Sequence, residues 1–326
     1  MNANLRRAIV TLSLLSLLLA PFVGASRIGF DALFQDGAPA YQILWDIRIP
    51  RALLAWFTGA TLSVCGLIFQ ALFRNSLASP DMLGVSSGAA LGAVIYIRLG
   101  VVSSFLGVIS GSACAAFLGS FAAITALYVA GGLKRGEFSA PSLLLAGIAL
   151  NFLFSSLNMI IQYTGGYTDS FRMMRWAMGG LETVGFAQAF ASLPGFLFIT
   201  FTGWAVGPQL DLLVCGEELA ASRGVSVKSL RRFLFAAVSF AVGINVALCG
   251  PIGFVGLMCP HICRRLAVSA GHRALALVCA FAGGMFLTAC DAAARTLWSP
   301  AELPVGILTS SLGSLFFIWL VIRGGE

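Results

Sequence analysis

The chain has 326 residues, 59% of them hydrophobic and 10% charged, with a mean hydropathy of +0.93. Soluble domains carry about 25% charged residues, so this composition excludes a water-soluble globule and gives an all-α polytopic membrane protein. The net charge of +7 does not point to nucleic acid: no run of Lys or Arg exceeds two residues, and the basic residues sit mainly in short loops between apolar runs.

In chain order, Arg6-Arg7 and a Leu-rich run ending at Val23-Gly24-Ala25-Ser26 have the make-up of a signal peptide. The apolar run is longer than a typical signal core and is read as a retained first span. Helices are predicted over 8–26, 51–73, 84–98, 104–130, 141–163, 187–206, 231–249, 254–268, 273–292 and 305–322. All ten belong to one transmembrane domain, residues 1–326. Strand-like alternation is absent, which argues against a membrane barrel. An even number of spans puts both termini on one side. The positive-inside rule makes that side the cytoplasm, because the loops there then hold more of the twenty Lys and Arg residues.

Arg48-Ile-Pro-Arg51 leads into helix 51–73, and the polar break Arg74-Asn-Ser-Leu-Ala-Ser-Pro-Asp81 follows it. Helix 84–98 is short and opens on Gly84-Val-Ser-Ser-Gly88, and Gly107-Val-Ile-Ser-Gly111 supplies small residues for close helix approach. In the second half, Gly250-Pro-Ile-Gly253 precedes the short helix 254–268, itself interrupted by Pro260. Short or broken helices are tolerated at membrane depth where protein or a cavity covers the backbone. Corresponding breaks in two halves indicate a weak inverted repeat and a transport path.

Full charges are missing from the middle of every span, which argues against a proton relay or an ion-coupled carrier. Polar residues within spans are Gln70, Asn151, Asn158, Gln162 and Asn245; they line a path or hydrogen-bond between helices, and Gln70, Asn158 and Gln162 are the pathway candidates. Eight cysteines are scattered along apolar segments. Cys259 and Cys263 share a helix face, but His261 points away and no second cluster completes a zinc site. No phosphate-binding G-x-x-x-x-G-K-S/T loop, H-E-x-x-H or G-x-S-x-G occurs, so no catalytic or metal-ligating residue is assigned. A membrane enzyme or channel lacks its parts, and if ATP drives transport, another chain hydrolyses it.

The loop 208–232 is the longest inner one. Within it Cys215-Gly-Glu-Glu-Leu-Ala-Ala-Ser-Arg-Gly224 predicts a short helix with acids at its start, Arg223 at its end and Gly224 as a left-handed stop. Such a surface helix suits docking to a cytoplasmic partner, and equally a capped loop. The outer arginines are Arg48, Arg51, Arg172, Arg175 and Arg295. They can meet a soluble partner or an anionic ligand. Anchoring at the headgroups, or pairing with Asp46, Asp291 and Glu302, is the reading the residues themselves favour.

These motifs bring a family into view. The chain resembles the permease subunits of binding-protein-dependent ATP-binding cassette importers for iron–siderophore complexes, haem and cobalamin. The resemblance rests on Arg48-Ile-Pro-Arg51, on Gly59, Gly66 and Gln70, and on Arg74-Asn-Ser-Leu-Ala-Ser-Pro-Asp-Met-Leu-Gly-Val-Ser-Ser-Gly-Ala89. It continues in Leu143-Leu-Leu-Ala-Gly147, Trp176-Ala-Met-Gly-Gly180, Gly253-Phe-Val-Gly-Leu-Met-Cys-Pro-His-Ile-Cys-Arg264, Asp291-Ala-Ala-Ala-Arg295 and Glu302-Leu-Pro-Val-Gly306. It implies ten helices, a second copy of this chain, two cytoplasmic ATPase subunits that bind ATP and Mg, and a periplasmic or lipid-anchored binding protein in a bacterial inner membrane. The implied cargo is a ferric siderophore or related metal chelate, with haem or cobalamin as alternatives. The resemblance also implies roles: binding-protein docking for Arg48, Arg51 and Arg295, and ATPase coupling for Glu217, Glu218, Leu219, Ala220, Arg223 and Gly224. It places a cytoplasmic gate at Asn75, Ser76, Leu77, Ser139, Ala140, Pro141 and Ser142. The chain departs from the family at Ser76, where proline is usual, and at Ala140-Pro141, where the cobalamin permease carries small hydroxyl residues.

Overall fold

The computed structural model describes residues 3–24, 26, 28–34, 38–100, 104–105, 109–132, 140–267, 270–298 and 301–323. In chain order the helices are α1 (Ala3–Leu19), α2 (Pro39–Gln42), α3 (Ile49–Leu72), α4 (Val85–Arg98), α5 (Gly111–Gly132), α6 (Ala140–Tyr163) and α7 (Tyr167–Ala177). They continue with α8 (Ala187–Ala205), α9 (Gly207–Cys215), α10 (Glu217–Ser222), α11 (Val227–Cys249), α12 (Val255–Leu266), α13 (His272–Ala294) and α14 (Val305–Arg323). Each of the ten expected helices is present. Among the described residues seven helices are long and apolar enough to cross a membrane, or eight spans if α8 and α9, bent by 56° at their junction, count as one. At 1.5 Å per residue, α4 and α12 reach only about 21 Å and about 18 Å, short of a hydrocarbon core of about 30 Å.

Boundaries differ where local chemistry overrides hydropathy. The helix expected from 104 begins at Gly111. Ser104–Phe105 (β1) pairs antiparallel with Ile109–Ser110 (β2) instead, and Gly107 of the expected small-residue stretch lies outside the described residues. The first helix stops at Leu19, where Pro21 starts a tight 3-10 turn, Ala20–Phe22. Helix α7 was not expected; its charged and polar residues dilute the hydropathy that marks a span.

The core is organised around α3, buried along most of its 24 residues. Gly59 abuts Gly283 of α13, and Gly66 abuts Gly256 of α12; a Cβ at either α3 position would run into the neighbouring backbone. Small residues therefore set these two crossings, as lipid-embedded helices require. Trp56 donates from Nε1 to Ser13 Oγ at 2.9 Å, and Ser13 donates to the Phe281 carbonyl at 2.8 Å, which ties α1, α3 and α13 together. By contrast α6 and α14 leave long apolar faces bare, including Phe152, Met159, Leu315 and Ile318. Such surface suits lipid or another apolar chain.

Candidate functional site

Three of the expected site arginines meet at one end of α3. A π-helical turn, Ile43–Arg48, delivers Arg48; the first turn of α3 carries Arg51; Asp291 lies in the last turn of α13 and Arg295 just past it. Arg51 donates from Nε to Asp291 Oδ1 at 2.9 Å and from Nη1 to Glu302 Oε2 at 2.6 Å. Arg295 Nε lies 3.0 Å from Asp291 Oδ2, and its Nη2 donates to the Ala20 carbonyl at 3.2 Å. Arg48 uses neutral acceptors: the Pro21 carbonyl at 3.2 Å and the Ser26 carbonyl and hydroxyl at 2.7 and 2.8 Å. Of the expected acidic partners Asp291 and Glu302 take part, whereas Asp46 accepts from the Gly185 amide through its backbone carbonyl at 2.7 Å.

The three arginines are only 4–6% exposed and Asp291 1%. They are thus a buried cluster in the single chain rather than a row of free surface charges. Three guanidiniums face two carboxylates, and Arg295 Nη1 is buried without an acceptor. The cluster therefore retains a positive excess. Asp291 is its hub, joining α3 to the end of α13. Sequence pairing rules could nominate it but could not show that two arginines share it.

Beside this cluster three chain segments cross. The Gly180 amide donates to the Cys249 carbonyl at 2.8 Å, and the Gly306 amide to the Gly179 carbonyl at 3.4 Å. Gly179 and Gly250 adopt φ of +69° and +67°, and at both a Cβ would press on neighbouring backbone. The end of α7, the α11–α12 break and the start of α14 thus meet at non-helical backbone. A cavity of about 340 Å³ opens there, walled by Arg172, Arg175, Trp176, Glu182, Leu248 and Pro304. Arg175 pairs with Glu182, both more than half exposed.

The pathway candidates separate. Gln70 is buried and donates to the Leu257 carbonyl at 3.1 Å, bridging α3 to α12. Asn158 donates to the Ser87 carbonyl at 3.2 Å, bridging α6 to α4. Both act as inter-helix hydrogen bonds here, while Gln162 lines a second cavity of about 380 Å³ with Tyr163, Tyr167 and Phe171.

At the opposite end, α10 has the expected form: Glu217 and Glu218 in its first turn, Arg223 at its close and Gly224 at φ +85°. Ala220 is fully buried, and Glu217 accepts from Arg231 of α11 at 2.6 Å. Glu218, Leu219 and Arg223 stay exposed, Leu219 to 43%. Ala220 and Glu217 therefore anchor the helix while the others project. Asp211 of α9 caps α13, accepting from the His272 amide at 2.9 Å and contacting its Nδ1 at 2.6 Å. The loop after α3 lies at this end too. Arg74 takes φ +50°, and Asn75 Oδ1 accepts from the Leu77 amide at 2.9 Å, a local turn that leaves Asn75, Ser76 and Leu77 exposed. Ser139 lies outside the described residues; Ala140, Pro141 and Ser142 begin α6, and their side chains lie outside them as well. In the break itself, burial raises the Asp81 carboxyl to about 6 against the opposing hydrogen bond that Ser86 donates at 2.8 Å. Among the described residues no group of three His, Cys, Asp or Glu is placed to hold a metal ion.

A family model, the FecCD transport family, matches residues 10–323, nearly the whole chain. The chain belongs to the FecCD transport family. It is 38% identical over 289 residues to the vitamin B12 import system permease protein BtuC of Klebsiella pneumoniae, covering 88% of this chain and 84% of that one. It is 36% identical over 307 residues to the hemin transport system permease protein HmuU of Yersinia pestis, covering 93% and 91%. Among solved structures it matches an inward-facing conformation of a metal-chelate type ABC transporter, with a TM-score of 0.83, 29% identity and 98% and 99% of the two chains covered. The all-α membrane architecture and the permease role read from the sequence therefore stand. The exposed side of α10 and the arginine cluster mark opposite ends of that permease.

Proposed function

We propose that this FecCD-family permease is the translocation subunit of a binding-protein-dependent ATP-binding cassette importer for a metal chelate, working as two copies with two cytoplasmic ATPase subunits. The cargo is a ferric siderophore or a related chelate; haem and cobalamin are the alternatives, in keeping with the relatives' names. The arginine cluster faces the periplasm or cell exterior and α10 the cytoplasm, so both termini are cytoplasmic, in line with the charge distribution. The observation that carries the reading is α10, which is anchored by Ala220 and Glu217 and presents Glu218, Leu219 and Arg223 outward. A short helix held on one side and free on the other suits transmission of an ATPase's movement.

At the other end, docking falls to Arg48, Arg51 and Arg295. Their acceptors are intramolecular, but three cations face two carboxylates and Glu302 is half exposed. A carboxylate from the binding protein would join or replace Glu302 there. The loop 74–77 serves as the inner gate. Reconstitution with the ATPase and binding protein in liposomes tests the reading, with labelled ferric siderophores, haem and cobalamin compared. ATP-dependent uptake of one class is expected, and uptake that persists without the ATPase would overturn it.

A further inference from the structure

At the α10 end of the molecule, where α1 and α13 begin, cations gather that the permease role does not use. The two helices run parallel: Ser13 donates to the Phe281 carbonyl, and further along Arg295 donates to the Ala20 carbonyl just past α1. Arg6 lies about 10 Å before Ser13 and Arg273 about 12 Å before Phe281, so the two reach the same level. Arg6 follows Ser13 and the buried Ile9 at i, i+3 and i+7 on the face of α1 that packs inward, and Arg273 leads through Leu277 to Phe281 along one ridge of α13. Arg7 adds a third cation beside them. All three arginines are exposed, and among the described residues none has an acidic partner. Asp211 on the neighbouring α9 is already taken by the amide and ring of His272. The Arg273 guanidinium carbon lies 3.9 Å from the ring centroid of Trp204 on α8. Stacking holds the guanidinium in place and leaves the N–H donors on its rim available.

We propose that the mouth formed by α1, α13 and α8 binds the phosphate of an anionic phospholipid in the cytoplasmic leaflet. Charge supplies the first argument. Like-charged side chains at one level of adjoining helices repel unless an anion lies between them, and phosphate oxygens accept the paired N–H donors of a guanidinium. The surface beside the cations supplies the second. Leu277 stands one turn beyond Arg273, and Phe201 and Leu197 follow Trp204 at i−3 and i−7; all are exposed. This apolar strip runs from the cations toward the middle of the bilayer and suits an acyl chain. A soluble anion, or a carboxylate from a cytoplasmic subunit, would leave it uncovered. Tryptophan is enriched at the headgroup level, and basic pockets between spans on the cytoplasmic side select anionic headgroups. A lipid seated here bridges α1 to α13 and α8. The inference goes beyond the importer reading and rests on it only for the choice of leaflet.

The test uses the full permease–ATPase complex in a neutral detergent, with equal amounts of phosphatidylglycerol and phosphatidylcholine added and the retained lipid counted by native mass spectrometry. Phosphatidylglycerol should be retained about fivefold or more over phosphatidylcholine, and R6Q/R273Q should bring the preference below about twofold. R232Q removes an exposed arginine on α11, away from the mouth, and should leave the preference unchanged. Inorganic phosphate added at constant ionic strength should not displace the lipid; displacement would make the free anion the ligand and overturn the proposal. Equal retention of the two lipids by the unaltered complex also overturns it, and is the result expected if an ATPase carboxylate covers the mouth. So does a loss with R232Q as large as that with R6Q/R273Q. If the double variant does not assemble, R6Q alone decides: the preference should fall by about half or more, and an unchanged one counts against the proposal. The importer reading fails on a different result: no ATP-dependent uptake of any chelate class by the complete transporter.

Discussion

The two ends of α3 are built on opposite plans. At the Arg51 end, charges are buried and shared: Asp291 serves both Arg51 and Arg295, and Arg48 is fastened by carbonyls near the end of α1. At the Arg74 end, the chain turns in an exposed loop, and α10 is anchored by the buried Ala220 and the Glu217–Arg231 contact. Charge in a low-dielectric site is strongly penalised when unpaired, so the first end resists rearrangement. The second end carries the exposed loop 74–77 and the solvent-facing Glu218, Leu219 and Arg223, so it can shift with smaller loss. A helix of 24 residues, about 36 Å long, joins a buried, charge-paired end to an exposed one.

The comparison breaks most readily at Asp291. Asp291→Asn leaves Arg51 and Arg295 short of their shared charge and should cost about 3–5 kcal/mol. Thermal unfolding of the detergent-solubilised protein would show this, and an unchanged midpoint would remove the fixed-end claim. Gly66→Leu should follow, since any Cβ there meets the Gly256 backbone; a loss of about 1–3 kcal/mol or failure to assemble is expected. At the exposed end, Glu217→Gln weakens a pair whose acid is half exposed and whose arginine is buried, and should cost less than Asp291→Asn in the same assay.

The Asp81 carboxyl gives a pH-dependent test of the break between α3 and α4. The unfolded chain releases its proton near 3.8 and the folded chain at about 6, so stability falls as pH rises between these values and is level above. Asp81→Asn should flatten this slope and raise the unfolding midpoint at neutral pH by about 2–4 °C. A slope that persists in the variant would assign it to another group.

Much of this was legible in the sequence because lipid makes hydropathy a strong signal. The ten helices, the short α4 and α12 and the capped α10 all follow from apolar run length, Gly and Pro placement and the Glu217-Glu218 start. Helix α7 escaped because it lies where charge and aromatic residues mix, and with it the cavity wall formed by Arg172 and Trp176. The fates of Gln70 and Asn158 were equally hidden. Run length places an amide within a span, but only packing decides whether it meets a carbonyl such as that of Leu257 or faces a cavity, as Gln162 does. The sharing of Asp291 by two arginines depends on α13 ending beside the start of α3, a tertiary fact.

The most direct test of the two-ended account is Leu219→Asp in the reconstituted transporter, with ATP hydrolysis and chelate uptake measured together. Leu219 is exposed, so the unfolding midpoint should stay within about 1 °C of the unaltered protein. The account predicts that hydrolysis continues while uptake falls at least tenfold, raising the ATP consumed per chelate. An unchanged ratio of hydrolysis to uptake would contradict it.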